Sequence, residues 1–171
     1  MNNNNNNDGR IFDIDLDRCS GCHACVVACL DQNDIDTEKE ECLRDVSVIK
    51  QAYSVTGKLG YVSLACIHCS DAPCVVGCPT GCLRKDANGL VAADTSLCIG
   101  CHSCVMYCMC GAPRFDAEGK VRKCDGCATR VECGLVPACV RVCPTKALKY
   151  DTVQNIEQAK KGKMLKKLMQ R

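Results

Sequence analysis

Sixteen of this chain's cysteines stand at spacings that leave few chemistries open. Cys19, Cys22, Cys25 and Cys29 read C-x2-C-x2-C-x3-C, and Cys98, Cys101, Cys104 and Cys108 repeat that spacing. Between them Cys66, Cys69, Cys74 and Cys78 read C-x2-C-x4-C-x3-C, followed by Pro79. The last run, Cys124, Cys127, Cys139 and Cys143, reads C-x2-C-x11-C-x3-C and is followed by Pro144. Cys42, Cys82, Cys110 and Cys133 fall outside the runs. With 20 cysteines in 171 residues, what these thiols bind decides the fold and the function.

Three fates are open to so many cysteines. Disulfide frameworks belong to secreted chains, and no apolar signal segment follows the Asn2 to Asn7 stretch. Structural zinc sites use C-x2-C pairs separated by longer loops, so zinc is the plain metal alternative. A third cysteine two residues after such a pair, and a fourth three residues later, is not what a tetrahedral zinc needs. That run is instead the ligand pattern of bacterial two-cluster ferredoxins. Three thiolates spaced by two residues lie on one tight loop around a cubane, whose backbone N–H groups can point at the sulfides. The fourth starts a helix and faces the neighbouring cluster, so each cluster takes three ligands from one run and one from another. Proline after that cysteine suits a first helical turn, where its missing N–H costs little. The expected cofactors are four [4Fe-4S] clusters.

Composition agrees. The hydrophobic fraction of 47% falls to about 35% once the cysteines are set aside, with no Trp and aromatics at 4%. Chains with so thin a core usually need covalent or metal staples. A net charge of +2 argues for neither nucleic acid nor an acidic partner. Apolar stretches such as Cys25 to Leu30 are too short to span a bilayer. There is no Gly-rich phosphate loop, nucleophile elbow or paired-carboxylate motif. A cluster held by four thiolates has no open iron site, so the chain is expected to carry electrons and to leave substrate chemistry to a partner.

The chain repeats itself. Arg18 to Cys29 aligns with Leu97 to Cys108, and Ala72 to Thr80 aligns with Pro137 to Thr145. This points to a duplicated two-cluster unit. Arg10 to Asp15 alternates apolar and acidic residues, as an edge strand does. Leu59 to Leu64 reads as a strand before the second run, Asp86-Ala-Asn-Gly89 as the turn of a hairpin within Leu83 to Val91, and Ala147 to Tyr150 as a strand after the last run. Short strands, tight cluster loops and single-turn helices predict an α+β fold made of two ferredoxin-like units, one inserted in the other. Residues 55–119 would form the inserted unit, and 8–54 with 120–152 the outer one. Residues 1–7 read as a disordered polar tail, and Glu38 to Glu41 as part of a charged connecting loop. Residues 153–171 read as a C-terminal amphipathic helix, with Ile156, Ala159, Met164, Leu165, Leu168 and Met169 on one stripe and Lys160, Lys161, Lys163, Lys166, Lys167 and Arg171 supplying charge. Such a helix lies on its own protein, docks on an acidic partner or, less in keeping with a stripe that lacks Trp and Phe, rests on a membrane surface.

The order of the four runs, with Ala72-Pro-Cys-Val-Val-Gly-Cys-Pro-Thr-Gly81, Lys123-Cys-Asp-Gly-Cys127 and Pro137-Ala-Cys-Val-Arg-Val-Cys-Pro-Thr-Lys-Ala-Leu148, resembles the four-cluster iron–sulfur subunits of molybdopterin oxidoreductases. Those subunits serve formate dehydrogenases, dimethyl sulfoxide reductase and related complexes; similar polyferredoxins accompany hydrogenases and tungsten aldehyde oxidoreductases. The resemblance covers residues 10–150. It implies an electron-transfer subunit that relays single electrons between a large catalytic subunit with a molybdenum or tungsten pterin cofactor and another redox subunit or carrier. It also implies the ligand sets: Cys19, Cys22, Cys25 and Cys143 for the first cluster, and Cys124, Cys127, Cys139 and Cys29 for the second. Cys66, Cys69, Cys74 and Cys108 would hold the third, and Cys98, Cys101, Cys104 and Cys78 the fourth. Relatives of this kind often carry Pro-Tyr after the fourth cysteine of the third run; here Met109-Cys110 stands there. The long C-terminal extension and membrane helix of some relatives are not present in this sequence.

The residues around the runs are read more plainly. Cys42, Cys82, Cys110 and Cys133 are expected to be free thiols, and His23, His68 and His102 hydrogen-bonding loop residues. Arg18, Lys123, Arg130, Arg141 and Lys146 flank the runs, either as solvated charge or as cations that raise cluster potentials. A freely diffusing polyferredoxin is the other functional reading; the basic tail and the +2 charge favour a docked subunit over it. The cytoplasm is the expected compartment, with export alongside a signal-bearing partner as the other route.

Overall fold

The computed structural model describes residues 9–49 and 60–169; the tail expected over 1–7 lies outside them. Helices and small antiparallel strands are interleaved, and the strands pair only two by two among the described residues. β1 (Arg10–Ile14) and β8 (Leu148–Thr152) form one ladder, with Phe12 opposite Tyr150. Their rings lie 4.8 Å apart, the cross-strand aromatic contact that stabilises an otherwise marginal two-stranded ribbon. β2 (Asp45–Ile49) pairs with β3 (Gly60–Leu64). β2 has no counterpart among the strands expected from the sequence, although Asp45-Val-Ser-Val alternates as a half-buried strand should.

The expected hairpin forms from β4 (Leu83–Lys85) and β5 (Val91–Ala93). Asp86 closes its turn, its carboxylate accepting from the N–H groups of Asn88 at 2.9 Å and Leu90 at 2.8 Å. A second hairpin, β6 (Arg114–Phe115) with β7 (Val121–Arg122), repeats this device: Asp116 accepts from Glu118 at 3.1 Å and Lys120 at 2.7 Å. Both are Asp-x-x-Gly turns in which the short side chain stands in for a backbone acceptor.

Helices carry five of the run cysteines, and loops the rest. α1 (Ala24–Gln32) holds Cys25 and Cys29, α2 (Pro73–Val76) holds Cys74, α3 (Ser103–Met106) holds Cys104, and α5 (Ala138–Val142) holds Cys139. α4 (Ala128–Glu132) fills the long gap inside the last run. α1 packs on α5 and α2 on α3. Three apolar cores result, and cysteines are part of each; the smallest gathers Cys29, Ile35 and Leu43. One gathers Ala72, Cys82, Leu83, Val91, Cys98, Cys104 and Val121. Another gathers Cys25, Cys139, Cys143, Ala147 and Leu148, with Phe12 and Ile14 against them. Glu40 pairs with Arg122 and Glu41 with Arg114 at 3.0 Å, so the charged connection is strapped onto the second hairpin.

α6 (Val153–Met169) runs straight on from β8, its start held by the Thr152 hydroxyl, which accepts from the Asn155 N–H at 3.3 Å. Ile156 is buried, whereas Met164, Leu165, Leu168 and Met169 are exposed. Charge holds the helix down instead. Lys160 reaches Asp13 at 2.5 Å, Lys163 reaches Asp15 at 2.7 Å and Asp17 at 2.9 Å, and Lys167 reaches Asp17 at 3.0 Å. Half of the tail's expected basic charge is thereby matched by the acidic residues of β1 and its exit.

Candidate metal centres

The thiols of different runs come together. One cavity is lined by Cys19, Cys22, Cys25 and Cys143. A second is lined by Cys66, Cys69, Cys74 and Cys108, and a third by Cys98, Cys101, Cys104 and Cys78. In each, three cysteines of one run meet one of another, and Cys110 and Cys82 add a fifth thiol to the second and third. The remaining four, Cys29, Cys124, Cys127 and Cys139, line none of these cavities, but lie near enough for charge on one to act on others. Burial pushes Cys29 up to about 12, with Cys139 and Cys127 adding to the effect. Burial pushes Cys124 up to about 12 as well, and Cys29 adds to it. Thiols packed this closely repel as thiolates, so as a set they call for a cationic group between them.

The loops fit a compact inorganic group whose sulfides accept hydrogen bonds. Gly21 and His23 both have positive φ, at 70° and 60°, and Gly100 and His102 repeat this at 68° and 59°. Left-handed residues beside ordinary ones turn successive N–H groups toward one point, the geometry of an anion-binding concavity. Gly21 is also crowded: a Cβ there would lie 2.4 Å from the Tyr61 ring. That close approach ties the first cysteine loop to β3.

The crossing cysteines are tuned by their own turns. At Cys78 burial opposes ionisation, but the N–H of Leu83 and the Thr80 hydroxyl outweigh it and hold the thiol below its usual range. Cys143 behaves in the same way through the Leu148 N–H and the Thr145 hydroxyl. Thr80 and Thr145 each lie 3.7 Å from the sulfur, and the Ala147 N–H donates to Cys143 at 3.2 Å. The Cys-Pro-Thr repeat is thus a thiolate-stabilising turn. Cys108, which lacks that sequence, accepts from the Ala112 N–H at 3.4 Å.

The histidines divide. His68 is buried and its Nδ1 accepts from the Val91 N–H at 2.9 Å. His102 stacks on Phe115 with ring centroids 3.9 Å apart, and His23 is exposed beside the first cavity. Of the flanking cations, Lys123 is buried and donates to the carbonyls of Val91 and, at 2.5 Å, Cys124. Arg18, Arg141 and Lys146 stand at or near the surface, and Arg130 bonds the Val136 carbonyl at 3.0 Å. Among the unassigned thiols, Cys82 lies in the core beside the Cys98 set and Cys110 lines the Cys66 set. Cys133 is exposed and Cys42 half-buried.

One residue escaped the sequence reading. Arg44 is 4% exposed, donates from Nη1 to the Ser63 hydroxyl at 2.9 Å, and leaves its Nε buried with no partner among the described residues. His68 Nε2 is the other such orphan. Buried donors without acceptors are costly, and both stand among cysteines. Soft thiol donors in sets of four, concave N–H loops and spare buried N–H groups together fit [4Fe-4S] clusters.

Residues 58–153 match the sequence family described as "4Fe-4S dicluster domain". The B subunit of the anaerobic dimethyl sulfoxide reductase of Haemophilus influenzae is 36% identical over 161 residues, which is 85% of this chain and 75% of that protein. The thiosulfate reductase electron transfer subunit of Salmonella typhi is 41% identical over 145 residues, 84% of this chain and 76% of its own length. The iron–sulfur subunit of the nitrate-inducible formate dehydrogenase of Escherichia coli is 36% identical over 155 residues, and there the match spans 53% of the relative.

Proposed function

The chain belongs to the 4Fe-4S dicluster family, among the iron–sulfur electron-transfer subunits of oxidoreductases, and on that premise we propose how its cysteines are used and what it serves. Cys19, Cys22, Cys25 and Cys143 hold the first cluster, and Cys29, Cys124, Cys127 and Cys139 the second. Cys66, Cys69, Cys74 and Cys108 hold the third, and Cys78, Cys98, Cys101 and Cys104 the fourth. The observation that carries this reading is the make-up of three cavities, each bringing three thiols of one run beside one of another, with Cys110 and Cys82 as additional lining in two of them. One apolar core draws on residues 72–121 and the other two on residues 12–46 and 139–148, which supports a nested arrangement, with an inserted unit over about 55–119 inside an outer unit of 8–54 and 120–152.

Bound clusters supply one-electron transfer. The protein's own part is to hold four thiolates per site, to donate backbone N–H and Thr hydroxyl hydrogen bonds to them, and to keep water out with Leu83, Val91, Val121 and Leu148. The proposed partner is a large catalytic subunit with a molybdenum or tungsten pterin cofactor, such as the enzymes named by the relatives, with a further redox subunit or carrier at the other end. The tail lysines pair with the chain's own acids, so membership in the family, rather than charge, supports a docked subunit.

Two measurements test this. Anaerobically purified protein should carry about sixteen iron and sixteen acid-labile sulfide per chain, as four cubanes require; four zinc and no visible absorbance would overturn the cluster reading. Native isolation of the tagged chain should recover a much larger oxidoreductase subunit. Recovery of the chain alone would instead support a diffusing polyferredoxin.

A further inference from the structure

We infer that Arg44 is a positioning residue shared by the two outer clusters: it is hydrogen-bonded toward one through Ser63, lends its spare buried N–H to the other, and holds the potentials of both up. This rests on the ligand sets proposed above for the Cys25 and Cys139 centres. The connection to the first is explicit. Arg44 Nη1 donates to Ser63 Oγ at 2.9 Å, and Ser63 Oγ lies 3.2 Å from Cys25 Sγ; with Cys25 a thiolate ligand, the hydroxyl is the donor of that contact. The connection to the second follows from burial and packing. Arg44 is 4% exposed and its Nε has no acceptor among the described protein atoms. Leu43, the residue before it, packs in one apolar core with Cys29 of the second set, so Arg44 is placed beside that set as well.

A buried guanidinium without a carboxylate is expensive. Arg44 has no ion pair among the described residues. An anionic cluster on either side supplies the missing counter-charge. One-electron reduction adds a negative charge to such a centre, so a fixed cation and donated N–H bonds stabilise the reduced form more than the oxidised one. Arg44 therefore raises the potentials of its two neighbours. The third and fourth centres lie outside its hydrogen-bond chain.

The test is an EPR-monitored redox titration of anaerobically purified wild type and five variants, two of them for assignment, with iron content measured alongside. Signals of the outer centres are assigned by their change in Cys25→Ser and Cys139→Ser. In Arg44→Met both outer midpoints should move down while the inner two stay; in Arg44→Lys, which keeps the charge, the shift should be smaller. Ser63→Ala should lower the first centre alone. Outer midpoints unmoved in Arg44→Met, or all four centres moving equally, would overturn the inference. Should Arg44→Met fail to assemble, Ser63→Ala and Arg44→Lys decide: an unmoved first centre in the former, or a shift spread over all four in the latter, counts against it. Wild type with fewer than four centres would instead refute the ligand sets, and is read from the same iron assay before any variant is compared.

Discussion

The backbone N–H of Val91 donates to Nδ1 of His68 at 2.9 Å, between residues 23 apart in sequence. The bond fixes the tautomer, since a nitrogen that accepts leaves the proton on the other. Burial drives His68 down to about 3, and Lys123, Lys85 and Arg44 add to the effect, so the ring is neutral and Nε2 is a donor. Phe12 of the N-terminal strand stacks on it at 5.7 Å. One imidazole thus joins the first ladder, the hairpin of β4 and β5 and the loop between Cys66 and Cys69. His68→Leu should keep the apolar contact but strand the Val91 N–H, at about 1–3 kcal/mol. Denaturant unfolding of the cluster-loaded protein under argon measures this, and a loss below about 0.5 kcal/mol would contradict it.

Lys123 occupies the junction between two centres. Its ammonium donates to the carbonyl of Val91, which lines the Cys66 cavity, and to that of Cys124 in the second set. Lys123→Met retains the stem and removes the charge, leaving two carbonyls without this donor. Stability should fall by about 2 kcal/mol, and the midpoints of the second and third centres should both drop. Redox titration showing a drop in neither would assign Lys123 a purely structural role.

The clasp between α6 and β1 should respond to salt and to charge reversal. Lys163 is raised above its usual 10.5, chiefly by hydrogen bonds to Asp15 and Asp17. Asp17 is lowered below 3.8, chiefly by hydrogen bonds from Lys163 and Lys167. The raised lysine contributes fully below pH 10.5 and loses its contribution as pH rises through its folded value. The depressed aspartate contributes above pH 3.8 and loses it as pH falls through its folded value. The clasp is therefore constant near neutrality, but these are exposed pairs and salt screens them. Hydrogen exchange along 153–169 should quicken in Lys163→Glu and at about 0.5 M salt, with the cysteine loops unchanged. Equal protection in the variant and the wild type would show that Ile156 alone anchors the helix.

Cys82 and Cys110 should both be dispensable for cluster content. Cys82 is 1% exposed in an apolar core and burial pushes it up to about 11, with Cys98 and Cys78 adding; Cys110 is raised by burial and then by Cys108. Each Ser variant should retain about sixteen iron, with Cys82→Ser losing about 1–3 kcal/mol for the buried hydroxyl. Loss of about four iron from either variant would make that thiol a ligand.

Much of this was legible because metal ligation and turn chemistry are local. The four cysteine runs, the strands at 10–14 and 148–152, and the Asp86 to Gly89 turn are each written in a few adjacent residues. The twin turn at Asp116 to Gly119 carries the same local signature, an Asp three residues before a Gly, and was not among the expected turns. Arg44 was not legible. It follows Leu43 in a charged connection, and only the β2–β3 ladder, which sets Ser63 within its reach, turns it inward. The tail lysines were hard to place for a related reason: spacing shows that they share a helix, not that Asp13, Asp15 and Asp17 lie beneath them.

The ladder of β1 with β8 has a consequence in time. It brings the first run beside Cys143, so on the proposed ligand sets the first centre cannot be completed until the ribosome has passed residue 143, whereas every thiol of the third and fourth centres lies between Cys66 and Cys108. The inserted unit can load and close while the outer thiols still wait. During that interval Cys19, Cys22 and Cys25 are an incomplete set, open to oxidation or to the wrong metal. On those ligand sets the thiols of complete centres become available from the middle of the sequence outward, and the ends of the chain supply theirs last.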